Sequence, residues 1–200
     1  NLLGIHKLKE VLTQIKFMYM SPKYPVYIVS KGRSSNGLTT RALHEMGVPH
    51  YIVVEHQELE LYQKGRCFGE LLVLPHKYKK EYDLCDDWGF DKSTGPGPAR
   101  NFCIDHSLVN GHKKHWVMDD NIDAFHYLNR NEKYEVRTGA TLLAAEDFVC
   151  RYSNVPVSGL NYYSFCKKTD RVPPFILNTR IYSCLLIDNE SGYRWRGRYN

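Results

Sequence analysis

Four short apolar runs set the terms for this chain: Val26-Tyr27-Ile28-Val29, Tyr51-Ile52-Val53-Val54, Leu71-Leu72-Val73-Leu74 and Trp116-Val117-Met118. Each is too short for a helix and ends in a polar or turn-forming stretch, which is the pattern of a buried strand. Between the first two, Thr39 or Thr40 is placed to cap a helix running through Met46, and Gly47 to stop it. Strand, helix and strand within about 30 residues make a βαβ unit, which requires a parallel sheet and a right-handed crossover. Sheets of this kind bind ligands outside the carboxyl ends of their strands. Strand ends are therefore where chemistry should be sought.

The fourth run ends abruptly in Asp119-Asp120-Asn121-Ile122-Asp123. Carboxylates are hard oxygen ligands, and Mg²⁺ or Mn²⁺ is commonly held by one or two of them with substrate phosphates completing the shell. Asp and Asn equally suit caps and turns, so the cluster takes its meaning from what falls at the other strand ends. Ser30-Lys31-Gly32-Arg33-Ser34-Ser35-Asn36-Gly37 follows the first run and brings two cations suited to a nucleotide or its phosphates. Glu55 closes the second run, where a carboxylate can accept hydrogen bonds from a ribose or base. Gly95-Pro96-Gly97-Pro98 leads into a helix that Gly111 stops. Ala99, Phe102, Cys103, His106 and Val109 recur at helical spacing as its core face, leaving Arg100 and Asn101 on the first turn and off that face. A helix start favours anions, and a guanidinium there adds a two-pronged grip. Lys31, Arg33, Glu55, Arg100, Asn101, Asp119 and Asp120 thus converge on one edge of one sheet.

Residues 1–20 have the spacing of a packing helix, Leu59 to Gln63 of a short helix stopped by Gly65, and residues 76–94 of a polar, mobile loop. Ala124 to Val136 reads as strand or hairpin, Thr141 as the cap of a helix through about Cys150, and Pro156–Phe165 and Phe175–Ile187 as strands. Asn189-Glu190-Ser191-Gly192 is a turn. The final Tyr193-Arg194-Trp195-Arg196-Gly197-Arg198-Tyr199-Asn200 interleaves arginines with aromatics, a mixture suited to phosphate, sugar or base stacking.

Two hundred residues make one sizeable domain. No apolar run approaches the roughly 20 residues that span a bilayer, so no membrane is expected. The net charge of +5 suits a phosphate-bearing ligand or nucleic acid without choosing between them. Six scattered cysteines without a CxxC pair argue against a disulfide scaffold and for reduced thiols in the cytoplasm. His112 and His115 lack partners at zinc spacing. The start at Asn1 reads as a chain trimmed upstream.

The order of features resembles the nucleotide-sugar-dependent glycosyltransferases of the GT-A fold, with Gly97-Pro98-Ala99-Arg100-Asn101 and Val117-Met118-Asp119-Asp120-Asn121 standing where that class has its Ala-Arg-Asn and DxD signatures. Within that class the chain resembles the glycosyltransferase-like domains encoded by phages beside DNA-base hydroxylases of the TET/JBP type, relatives of which occur in animal nuclear hormone-receptor coactivators. The similarity is carried by Tyr24–Arg33, Tyr51–Glu55, Gly95–Asn101, Trp116–Ile122, Leu177–Ser183 and Tyr193–Asn200.

The resemblance implies an α/β, Rossmann-like, mostly parallel sheet flanked by helices, with a smaller mixed β region in the C-terminal part. It implies a nucleotide-sugar-binding half over 24–123 and an acceptor half over 124–200. It further implies transfer of a sugar from a nucleotide-sugar, UDP-sugar first among them, to a hydroxymethylated pyrimidine in DNA, with Mn²⁺ or Mg²⁺, in the host cytoplasm if the chain is phage-encoded. Asp119 would bind ribose or sugar and Asp120 the metal, the two forming the catalytic pair, with Asn121 and Asp123 as secondary metal ligands. Ser30, Lys31, Arg33 and Glu55 would hold the nucleoside, Arg100 and Asn101 the sugar or phosphate, and Trp195, Arg196 and Arg198 the acceptor side. In the family the Trp-Arg-Gly-Arg-Tyr-Asn segment is followed by an acidic pair at the catalytic-base position. The chain stops at Asn200 and so reads as truncated there, with Asp188 and Glu190 the only late acids left for that role. A protein Ser or Thr acceptor, a nucleotidyltransferase and a non-catalytic nucleic-acid-binding module are the competing readings.

Overall fold

The computed structural model describes residues 20–65, 67–85, 94–167 and 175–197. The helix expected over 1–20 therefore falls almost wholly outside the described residues. A six-stranded sheet forms the centre, in the order β3-β2-β1-β4-β8-β7. Its strands are β1 (Val26–Val29), β2 (Tyr51–Val54), β3 (Glu70–Val73), β4 (Lys114–Asp119), β7 (Val157–Gly159) and β8 (Cys184–Asp188). β1 to β4 run parallel, while β8 runs antiparallel to β4 and β7 antiparallel to β8. A separate hairpin of β5 (Phe125–Asn129) and β6 (Glu132–Val136) follows β4.

The alternation of side chains along each strand divides the core into two layers. Val26, Ile28, Trp116, Met118, Cys184 and Leu186 face one side, where they pack with residues of α1 (Leu38–Glu45) and α5 (Ala140–Val149). Tyr27, Val117, Leu185 and Ile187 face the other, against Ala99 and Cys103 of α4 (Gly97–Val109). The result is the helix–sheet–helix arrangement the apolar runs require. Glu146 of α5, fully buried, ties that helix to the sheet: it accepts from Trp116 Nε1 at 2.8 Å and from the backbone N–H groups of Lys23 and Tyr24. Burial holds its pKa above the ordinary carboxylate range.

Several local expectations change. The short helix α2 (Leu59–Lys64) stops at Gly65 as read, but residues 76–94 are not one loop, since His76–Lys80 forms a helical turn, α3. Residues 86–93 of that stretch lie outside the described residues. Phe175–Ile187 is not one long strand: only Cys184–Asp188 pairs, because Ser183 adopts φ 55 and breaks the extended chain just before it. Likewise only Val157–Gly159 pairs within Pro156–Phe165. Neither Thr39 nor Thr40 caps α1, whose cap is Gly37; nor does Thr141 cap α5, whose cap is Gly139. Val109, assigned to the core face of α4, is 87% exposed, whereas Arg100, assigned off that face, is buried.

Candidate active site

The order of the sheet locates the site before any side chain is considered. From β1 the chain steps outward to β2 and β3, then returns to the other side of β1 as β4. The strand order reverses between β1 and β4, and the crevice outside the carboxyl ends of two such strands is where open α/β sheets bind ligands. Val29 pairs with Asp119 at that edge, so Ser30 and Asp120 emerge side by side.

A chain of hydrogen bonds ties the two strand ends together. The backbone N–H of Arg33 donates to the Tyr62 hydroxyl (3.1 Å), Tyr62 shares a 2.7 Å bond with Ser30 Oγ, and Ser30 Oγ donates to Asp120 Oδ2 (2.7 Å). Arg33 Nε lies 3.2 Å from the other oxygen, Asp120 Oδ1. Asp119 turns to the opposite side, where Arg100 Nη2 donates to its Oδ1 at 2.9 Å. Thr39 fixes the turn between them: its hydroxyl donates to the Asp119 carbonyl and accepts from Ile122 N. A threonine read as a helix cap thus holds the acidic turn.

Beside Asp120 opens a pocket of about 330 Å³. Val29, Val53, Val54, Leu74 and Ala99 give it apolar walls, and Lys31, Arg33, Glu55, Lys79 and Asp120 give it charge. Glu55 is clamped, accepting from Lys31 (2.8 Å), from Lys79 (2.9 Å) and from the Gln57 amide. Burial alone would raise the Glu55 carboxyl, but these donors overcome it and hold the pKa at about 2. Lys79 escaped sequence reasoning because α3 is a single turn without apolar periodicity, and only the fold brings it to the pocket.

Asn101 serves a different purpose from the one expected. Its amide donates to the Trp195 carbonyl (3.1 Å) and accepts from Trp195 N (2.9 Å), pairing with the main chain of the segment Tyr193–Gly197 as a strand would. Arg194 reinforces the tie through Asp105 (2.5 Å). Gly197 passes so close to Leu84 that a Cβ there would meet its carbonyl at 2.2 Å, and its N–H donates to Asp83 O. The segment so held lays the Trp195 ring on Arg100, 4.6 Å from guanidinium to ring centroid. Trp195 is therefore not a free acceptor surface, since it backs the arginine that holds Asp119, whereas Arg196 is exposed with its guanidinium 3.8 Å from Asp83. Arg198 lies outside the described residues.

Two further expectations are corrected. Asp123 is not gathered with Asp120: it lines a second cleft of about 260 Å³ with Ala42, Met46, Phe125 and Glu135, while Asn121 is exposed on the turn. Asp188 and Glu190 sit at the wrong end of the sheet. Asp188 pairs in register with Lys114, the first residue of β4, roughly 16 Å along the strand from Asp119. Its carboxylate is taken by Lys114 at 2.5 Å, and Glu190 lies 3.7 Å from Lys113.

Among the described residues no group of three or more His, Cys, Asp or Glu side chains forms a metal cage. A divalent ion held chiefly by a diphosphate needs only one or two carboxylates. Asp120, on the pocket wall, supplies a hard oxygen of that kind, so it fits Mg²⁺ or Mn²⁺ held chiefly by a diphosphate, with Arg33 giving up its place on Asp120. No helix among the described residues is long and apolar enough to cross a membrane.

No curated protein and no solved structure matches the chain. A family model described as TET-associated glycosyltransferase matches residues 24–200. That match covers both the parallel strands and the C-terminal part, and the chain belongs to the TET-associated glycosyltransferase family.

Proposed function

We propose that this glycosyltransferase uses a UDP-sugar donor and a divalent metal, and that its acceptor is a hydroxymethylated pyrimidine in DNA. The observation that carries the donor reading is the pocket at the β1–β4 switch point, with apolar walls and with Lys31, Arg33, Lys79 and Asp120 on its rim. A nucleoside takes the apolar part, and the cations face a diphosphate. When bound, the metal would supply Lewis-acid neutralisation of the charge that develops on the departing diphosphate. Lys31 and Lys79, released from Glu55 in part or whole, act on the same charge. Arg100 keeps the Asp119 carboxylate in one orientation, so that it can accept from a sugar or ribose hydroxyl. In the transfer the acceptor oxygen forms a bond to the anomeric carbon, the bond from that carbon to the diphosphate oxygen breaks with its electron pair leaving on the nucleoside diphosphate, and the acceptor proton passes to a general base or to solvent. A base inside a duplex would first have to leave the stack.

The experiment is calorimetric titration of UDP into the chain with and without Mn²⁺, repeated on Asp120→Ala. Metal-dependent binding that vanishes in the variant is the expected result. A folded wild type that ignores UDP and other nucleotides would overturn the donor reading. Intact-mass measurement of oligonucleotides bearing hydroxymethyl bases, incubated with a panel of UDP-sugars, then tests the acceptor, and a peptide acceptor panel tests the protein alternative.

A further inference from the structure

The aromatic residues of the C-terminal part do not all enter the core. Tyr162, Phe165 and Tyr182 are 42%, 57% and 39% exposed, yet they pack on one another with ring centroids 5.3 to 6.3 Å apart. Arg180 lies 5.9 Å from the Tyr182 ring centroid and donates to its hydroxyl at 3.4 Å. Contiguous exposed aromatic side chains are a common feature of binding surfaces.

Two observations say where this group sits and what it suits. Ser183, next to Tyr182, accepts the Asp119 N–H at 2.8 Å, so the aromatic group is mounted on the chain that pairs with the catalytic strand end. Ser183 adopts φ 55, a left-handed conformation that non-glycine residues keep only where the surroundings enforce it and that clusters at functional sites. The charge is also lopsided. Residues 124–200 hold eleven Lys or Arg against seven Asp or Glu, while residues 1–123 hold sixteen against fifteen; among the described residues of 124–200 the count is eight against six.

From this placement we infer that Tyr162, Phe165 and Tyr182, with Arg180, form a stacking surface for unpaired bases of a polynucleotide acceptor, beside the donor pocket. The inference rests on the reading of DNA as acceptor and names residues for it. Bases present π faces and phosphates present negative charge, and a cluster of exposed rings with a guanidinium meets both. A peptide or a second copy of the chain would bury the same rings without needing the charge. The surface takes the place of Trp195, whose ring is committed to Arg100.

The test is fluorescence anisotropy with a labelled single-stranded oligonucleotide, over a salt series, on wild type, Tyr182→Ala, Phe165→Ala, Tyr182→Phe and Arg180→Ala, with UDP calorimetry and sedimentation velocity on the same preparations. Tyr182→Ala is expected to weaken oligonucleotide binding roughly 5- to 150-fold, the loss of one base–aromatic stack. Tyr182→Phe should stay near wild type, and Arg180→Ala should flatten the salt dependence by about one phosphate contact. Binding that tracks Tyr182 in a wild type indifferent to UDP supports the surface and overturns the transferase reading of the pocket. Oligonucleotide affinity unmoved by Tyr182→Ala and Phe165→Ala, with UDP binding intact, overturns the surface and leaves the pocket standing. Self-association that Phe165→Ala disperses overturns it in favour of a second copy.

Discussion

The two ends of β4 are built from the same ingredients and do opposite things. At its start, Lys114 meets Asp188, and His115, fully buried, meets Asn189 at 2.6 Å; Asn189 in turn donates to Ser107 Oγ and to the His112 carbonyl. At its finish, Asp119 meets Arg100 and Asp120 meets Arg33 and Ser30. The first set is closed: Lys114, His115 and Asn189 are buried, their partners come from within the protein with only His115 Nε2 left unpaired, and α4, β4 and the turn after β8 are joined by it. The second set borders an open pocket and includes cations that a ligand could take from their carboxylates. Carboxylates beside cations are thus no sign of a site by themselves; whether space for a ligand adjoins them decides the matter.

The contrast is broken most severely at Asp120. Asp120→Ala should lower kcat/KM at least about a hundredfold, as loss of charge stabilisation at a developing diphosphate does, and should abolish the metal-dependent part of UDP affinity, with the thermal midpoint little changed. Transfer assays and calorimetry read this directly. An active variant would mean that the acidic turn is only a turn.

At the closed end the opposite pattern is expected. Asn189→Ala removes the partner of His115, Ser107 and the His112 carbonyl at once, and should cost about 2 kcal/mol in chemical denaturation while UDP affinity stays the same. The same end carries a pH signature. Burial pushes the His115 imidazole down to about 4, against the hydrogen bond with Asn189. Its folded value lies below the unfolded value of about 6.5, so the folded state resists protonation. Its contribution to stability is complete above pH 6.5 and is lost as the pH falls towards 4. The stability difference between wild type and His115→Gln, measured across that window, should shrink accordingly; a difference independent of pH would show that the imidazole does not titrate there.

A smaller effect separates the Trp195 segment from both ends. Trp195→Ala removes the ring behind Arg100 and should reduce kcat about tenfold, with UDP affinity changed less, because Asp119 loses its fixed orientation while the pocket keeps its cations. Trp195→Phe, which retains a ring, should recover most of the rate. Equal losses in both variants would show that the segment is merely packing.

What could be read in advance follows the same division. The apolar runs disclosed the parallel strands because burial on both faces leaves a local mark, and the carboxylates at Asp119 and Asp120 stood out because they interrupt such a run. Lys79 left no mark, since a five-residue helix has no periodicity to detect. Asn101 and Trp195 looked like ligand contacts because side-chain type is visible in a sequence and hydrogen-bond partners 94 positions away are not. Helical spacing puts Arg100 off the core face of α4, and it is nonetheless buried because Asp119 and Trp195 meet it there. Asp188 and Glu190 looked available only because order along the chain says nothing about which way a strand runs.

That last point leads to the smallest expected effect and the sharpest test of the two ends. A general base contributes roughly a hundredfold or more to rate, and must come within hydrogen-bond reach of the acceptor oxygen. β8 runs antiparallel to β4, which carries Asp188 and Glu190 away from Asp120 by most of the length of the strand. Asp188→Asn keeps a hydrogen-bond acceptor for Lys114, and Glu190→Gln changes an exposed side chain. Each should therefore leave kcat within about twofold of wild type, whatever small loss of stability Asp188→Asn brings. A hundredfold loss in either, in a folded protein with normal UDP binding, would mean that the acceptor reaches the closed end of the sheet, and the division between the two ends of β4 would fail.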